Sequence, residues 1–276
     1  MLHDETIDVA CATATVDFRT SLITNSTPKL KSTRAPARKA MTADKILQAF
    51  NTWAFKREQP TNPDLMRPAI AAAMAEGRPV PFCLYWGKGP RRDVAEPDLQ
   101  CLDYLGELAC RVASAYDHGA AITLIFTDTH ARLNGHSIDS MGDYFGAVKA
   151  AARERNFATC WLGDLTRAVD ATALDELPAS DEVLQRLAAC AAKWYRGDGS
   201  AEDGAVKYYE MNMIEKRAVE IAFPGSIFVT FNGSEFSALF PDRLPVFHMY
   251  SLKRGISVKP WFLPAASEAS TARLAS

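Results

Sequence analysis

Three polar clusters hold the residues of this chain that could do chemistry, and each follows directly on an apolar run. The first is Gly87-Lys88-Gly89-Pro90-Arg91-Arg92, behind VPFCLYW. Two glycines let the backbone approach an oxyanion closely, and one Lys with two Arg supplies charge-assisted donors, as a phosphate or carboxylate requires. A solvated basic turn is the competing reading. Neither GxxxxGK[ST] nor GxGxxG occurs here, so the loop is not a P-loop, and a nicotinamide- or methyl-donor-dependent enzyme ranks low.

The second cluster runs from Asp128 to His136, behind AAITLIFT, and places Asp128, His130, Arg132, Asn134 and His136 within nine residues. Histidine exchanges protons near neutrality, and a neighbouring carboxylate can orient its ring. His130 and His136 could instead bind zinc, but the helix-borne HExxH pattern is missing and no cysteine pair supports a metal. Asp128 could also be a helix N-cap, and His136 the entry to a helix. The third cluster, Asn232-Gly233-Ser234-Glu235, follows SIFVTFN, with Lys216 and Arg217 on the helix leading in. Locally Asn-Gly reads as a turn. His248, inside LPVFHMY, reads as a satisfied core histidine, and Lys259 could line a pocket or simply end a strand.

These clusters need a scaffold that brings strand ends together. The pattern predicts a helix from Ala43 with Ile46, Leu47, Phe50, Trp53 and Ala54 on one face, then a helix over about 62–75. Beyond them strands alternate with helices: strands at 80–86, 120–127, 157–162, 226–232, 245–250 and 257–262, helices at 98–116, 137–155, 181–194 and 205–223. This alternation predicts an α/β fold, a Rossmann-like, mostly parallel sheet flanked by helices with a small N-terminal helical part. In such sheets ligands bind in the crevice beyond the carboxyl ends of the strands. The domain reading is a flexible arm over 1–42, one α/β catalytic domain over 43–264 and a frayed tail over 265–276.

Composition narrows the function classes. The chain has 276 residues, 31 Lys+Arg against 33 Asp+Glu and a net charge of −2, which excludes a generally basic nucleic-acid binder. With 48% apolar and 23% charged residues it has the balance of a globular protein with a sizeable core. No apolar run is long enough for a membrane span, and the acidic first residues do not read as an export signal. The expectation is a cytoplasmic protein without a membrane or nucleic-acid partner, its six cysteines reduced and mostly in the core. Trp53, Trp86 and Trp194 are expected in the core.

Taken in order, the segments GRPVPFCLYWGKGPRR, EPDLQCLDYLGEL, YDHGAAITLIFTDTHARLN, SIDSMGDYFGAVKAAARERNF, EKRAVEIAFPGSIFVTFNGSEFSALFP and LPVFHMYSLKRGISVKPWF resemble the isonitrile (isocyanide) synthase family, the pyoverdine/dityrosine biosynthesis proteins, as a divergent member. The resemblance spans about 43–262. It implies one Rossmann-like catalytic unit without metal or redox cofactor. It further implies condensation of the α-amine of an aromatic amino acid with the ketone of ribulose 5-phosphate, whose C2 becomes the isonitrile carbon. An oxygenase acting downstream on the product is an implied partner. On this reading Lys88, which aligns with a lysine of the family's first strand-exit loop, holds the sugar phosphate with Arg91 and Arg92. Asp128 aligns with the acid of the family's Ser-Asp-Gly segment, and with His130 and Lys216 it is assigned to proton transfer. Arg132, Asn134, Asn232 and Lys259 complete the substrate contacts. Where the family commonly shows Ser-Ile-His-Pro, this chain has Thr230-Phe231-Asn232-Gly233. That departure keeps two alternatives open, a different amino-acid condensation or lyase reaction and a non-catalytic binder of a sugar phosphate or related metabolite.

Overall fold

The computed structural model describes residues 42–89, 92–169 and 179–250. The expected arm before Thr42, the strand at 257–262 and the tail at 265–276 lie outside the described residues, as do Arg91 and Lys259.

Five parallel strands form one sheet in the order β3-β2-β1-β4-β5: β1 (Val80–Trp86), β2 (Ala120–Phe126), β3 (Ala158–Trp161), β4 (Ile227–Thr230) and β5 (Val246–His248). The central strand β1 pairs along its whole length with β2, from Val80 opposite Ala120 to Trp86 opposite Phe126. Its near-continuous apolar sequence is what a strand covered on both faces needs. The two-residue period then divides its side chains. Phe82, Leu84 and Trp86 join Leu124, Phe126, Val229 and Phe247 in the core on one face. Cys83 joins Ile125, Phe228 and Val246 on the other. A helix layer on each side gives the expected α/β architecture.

The first face is covered by α1 (Ala43–Phe50), α2 (Met66–Ala75), α3 (Glu96–Ala115) and α5 (Ile138–Glu154), through Ile46, Ile70, Leu105 and Phe145. Between β2 and α5 lies α4 (Asp128–Leu133). The second face is covered by α6 (Leu162–Thr166) and by α8 (Ala201–Ala222), through Leu162 and Val219. α7 (Asp181–Trp194) packs along α8, burying Leu187, Ala191, Tyr195, Ala205 and Tyr208 in a satellite core. No helix among the described residues is long and apolar enough to cross a membrane.

Several expectations are corrected. α1 stops at Phe50, where Asn51 and Thr52 follow and disfavour further helix, so Trp53 leaves the apolar face and stands 72% exposed beside Lys56. Trp86 is buried, but Trp194 is half-buried. The expected helix at 62–75 is a 3-10 turn, Pro63–Leu65, followed by α2. α8 starts at Ala201 rather than Ala205 because Ser200 and Asp203 cap each other's backbone amides. The polar cluster from Asp128 is helix α4, not loop. Of the described cysteines, Cys83 and Cys101 are buried and Cys160 half-buried, while Cys110 and Cys190 are exposed; all five are free.

Candidate functional site

In the strand order, the chain steps from β1 outward through β2 to β3 and then returns to β1's other side with β4 and β5. The carboxyl ends of β1 and β4 therefore flank a topological switch point, where adjoining connections diverge and leave a crevice. A cavity of about 240 Å³ occupies this place. Its rim comes from Tyr85, Gly87 and Lys88 at the end of β1, Thr127, His130 and Asn134 beyond β2, and Thr230, Phe231 and Asn232 beyond β4. Leu187, Cys190 and Trp194 of α7, Tyr208 and Asn212 of α8, and Phe236, Leu239 and Phe240 after β4 build its remaining wall.

Four of the residues expected from sequence thus meet: Lys88, His130, Asn134 and Asn232. Lys88 is 3% exposed. Its Nζ donates to Gly89 O at 3.3 Å and stands 5.2 Å from the centroid of the Tyr144 ring. Tyr144 is itself tied in, accepting from Trp86 Nε1 at 3.2 Å and donating to the buried Asp98 carboxylate at 3.1 Å. A buried ammonium on an aromatic face is suited to pairing with an anionic ligand group. It also faces His136, whose pKa is lowered, first by partial burial and then by the Lys88 charge.

His130 lies on α4, with its ring nearly parallel to that of Tyr208, centroids 5.8 Å apart. Its Nδ1 is 3.3 Å from Oε1 of Glu215, a fully buried residue of α8, although the alignment falls short of a hydrogen bond. Asn212 Nδ2 lies 3.5 Å from His130 Nε2. Thr129 donates its hydroxyl to Glu215 Oε1, and Tyr208 donates its hydroxyl to Asn134 Oδ1. The Tyr208 phenol is pushed up to about 12, chiefly by burial, and so stays a neutral donor. The Tyr85 hydroxyl is buried without a hydrogen-bond partner, and burial, with the nearby Glu215 charge, raises its pKa well above the ordinary tyrosine value.

Four other expected residues are placed elsewhere. Asp128 does not line the cavity. Its carboxylate accepts from the Gly163 amide of α6 at 2.8 Å and from Arg132 Nη2 at 2.8 Å. It therefore ties the start of α4 to the start of α6, and Arg132 is turned toward it. Lys216 pairs with Asp242 at 2.7 Å, outside the cavity lining. Arg92 is an exposed partner of Asp143. Long basic side chains find carboxylates on neighbouring elements whichever way the chain pattern points, which is why Lys216, Arg92 and Arg132 are held away from the cavity lining. His248 is fully buried between Thr61 Oγ1 and the Asn232 carbonyl, each at 2.9 Å, and so fixes the loop after β4.

Sequence reasoning missed Glu215, Tyr85 and Asn212. A signal existed for two of them: Ala205, Tyr208, Asn212, Glu215 and Val219 follow one helical stripe, which puts an amide and an acid into the buried face of α8.

No protein-family model matches the chain, and no curated protein matches it. Among solved structures, the chain is similar to the PvcA protein of Pseudomonas aeruginosa, with 18% identity and a TM-score of 0.61, over 80% of this chain and 87% of that one. This likeness is one of fold. The tyrosyl-tRNA synthetase of Archaeoglobus fulgidus, solved with L-tyrosine, has a TM-score of 0.45 and 11% identity over 74% of this chain and 62% of its own.

Proposed function

We propose that the chain is an isonitrile synthase-like enzyme that condenses the α-amine of an amino acid with an aromatic side chain with the ketone of ribulose 5-phosphate. The observation that carries this reading is the cavity at the β1/β4 switch point, which combines one buried cation, a histidine next to a buried acid, and an aromatic wall. The ordered resemblance of the segments from 43 to 262 supplies the reaction, and the fold agrees with what that resemblance implies.

In this reading the anion of one substrate rests on Lys88, and the apolar side chain of the amino acid lies among Trp194, Phe236 and Phe240. His130 removes a proton from the α-ammonium, freeing the nitrogen lone pair to attack the ketone carbon. The carbonyl oxygen takes up a proton released by the attacking nitrogen and becomes the carbinolamine hydroxyl, toward which the neutral Tyr85 can donate. The imidazolium then returns its proton to that hydroxyl, which leaves as water while the C=N bond forms. Exclusion of bulk water by the apolar wall strengthens each of these polar interactions.

The test is to incubate the protein with ribulose 5-phosphate and each aromatic amino acid, and to look for the product by mass spectrometry and the isonitrile infrared band. Product with at least one amino acid is expected, with His130→Ala lowering turnover by roughly 10²-fold or more. Absence of product with every amino acid overturns the reading. The departure at Thr230-Phe231-Asn232-Gly233 favours a second reading, a non-catalytic binder of a phosphorylated sugar. Thermal stabilisation by the sugar phosphate without turnover would select it.

A further inference from the structure

Glu215 is an unusual group among the described residues. Its residue is 0% exposed, and among the described residues its ion-pair partner is His130 rather than a Lys or Arg. Oε1 receives the Thr129 hydroxyl, while Oε2 is buried with no hydrogen bond. A carboxylate removed from water is costly unless it is paired and hydrogen-bonded, so it is a poor device for holding α8 in place.

We infer that Glu215 is a positioning residue for His130, fixing the imidazole with its proton on Nδ1 and leaving Nε2 as the proton-accepting atom toward the cavity. For the role of that proton the inference rests on the reading above. The two ring nitrogens have opposite surroundings. Nδ1 faces a carboxylate oxygen 3.3 Å away, which can only accept. Nε2 faces the Asn212 amide at 3.5 Å, which donates. That Asn212 contact is long beside the 2.7 Å bond the same nitrogen donates to the Tyr208 carbonyl, so a substrate amine can displace it. The Tyr208 ring lies nearly parallel to the imidazole, centroids 5.8 Å apart, and bounds it on one side. A histidine so held presents a preformed base and can stabilise the imidazolium that forms after proton transfer.

The experiment has two arms on the full chain. In the first, ¹⁵N shifts of the His130 ring, assigned by their loss in His130→Gln, are recorded at about pH 8.5, above the ordinary histidine range. The Nδ1-protonated tautomer is expected in the native protein, with a shift toward the Nε2-protonated form in Glu215→Leu. An Nε2-protonated ring in the native protein, or a ring unchanged by Glu215→Leu, overturns the inference. This arm needs no turnover, so it stands or falls apart from the proposed reaction. In the second arm, Glu215→Gln should lower kcat by roughly 10²-fold with KM changed less than about threefold, and Glu215→Asp should recover part of the rate. A full rate in Glu215→Gln, or a loss expressed in KM alone, overturns it while leaving the condensation reading intact.

Discussion

Replacing Asp128 separates bracing from catalysis, because its carboxylate joins two helices without lining the cavity. The bond from the Gly163 amide to Asp128 is 2.8 Å long, and its acceptor is an ionised side chain only 11% exposed. Hydrogen bonds to charged groups contribute about 1.5–3 kcal/mol. The second contact, from Arg132, has the same length, but the guanidinium side chain is 54% exposed, so solvent reduces it to about 0.3–0.5 kcal/mol. Asp128→Ala should therefore destabilise the protein by about 2–3.5 kcal/mol and leave the Gly163 amide unpaired. Asp128→Asn keeps one acceptor for that amide but loses its charge, for a cost of about 1–2 kcal/mol. Urea denaturation followed by tryptophan fluorescence is suited to the measurement, since Trp161 immediately precedes α6. The midpoint should fall in both variants with an unchanged slope. Turnover of Asp128→Asn, assayed where the variant is fully folded, should stay within about threefold of the native rate. A variant as stable as the native protein that loses 10²-fold or more in rate would show that Asp128 handles protons, and the bracing argument would be wrong.

Four further outcomes are expected. Lys88→Met should alter stability by less than about 1 kcal/mol, since a chain of similar length replaces a buried charge, yet abolish the thermal stabilisation of about 2.7 kcal/mol that an anionic ligand gives at 100-fold excess over its Kd; persistence of that stabilisation would remove Lys88 from the anion site. Cys190, exposed at the mouth of the cavity, should be alkylated quickly and be protected by a bound aromatic amino acid, whereas Cys110, exposed on α3 away from the cavity, should label at the same rate with or without ligand. The Cys160 thiol, pushed up to about 11 by burial and by Asp164, should react slowly at neutral pH and faster by close to tenfold per pH unit until that value is approached; a rate independent of pH would contradict the burial. Gly163→Ala should push aside the Asp128 carboxylate and the Arg132 guanidinium, because a Cβ there would lie 2.6 Å from Asp128 Oδ2 and 2.9 Å from Arg132 Nη2, and so should lower stability through the lost Asp128 contacts; unchanged thermal stability would mean that these side chains move aside without losing them.

Much of the scaffold could be read from local pattern. VPFCLYW forms β1 without adjustment and DEVLQRLAACAAKW forms α7, because each is long, apolar in the right period and bounded by strong breakers or caps. The strand exits were legible for the same reason, and with them Lys88, His130 and Asn232 at the rim. What local pattern could not supply was pairing across the fold. Asp128 carries the right chemistry at the right strand end, yet an amide from α6, 35 residues away, captures it. Glu215 stands 86 residues from Thr129, to which it is bonded, and nothing in the stretch EMNMIEKR distinguishes it from a solvated acid until the helix is rotated onto its buried face. Trp53 shows the converse: its spacing fits the α1 stripe, but the helix ends before reaching it.

The long insertion between β3 and β4 gives the molecule a division of labour. The groups suited to anion binding and proton transfer are rooted mainly beyond the carboxyl ends of β1 and β2, while Leu187, Cys190 and Trp194 stand on α7, which packs along α8. If the proposed condensation holds, preference for one amino acid over another can be redirected by exchanging a few side chains on that outlying helix while the groups at the strand ends stay as they are.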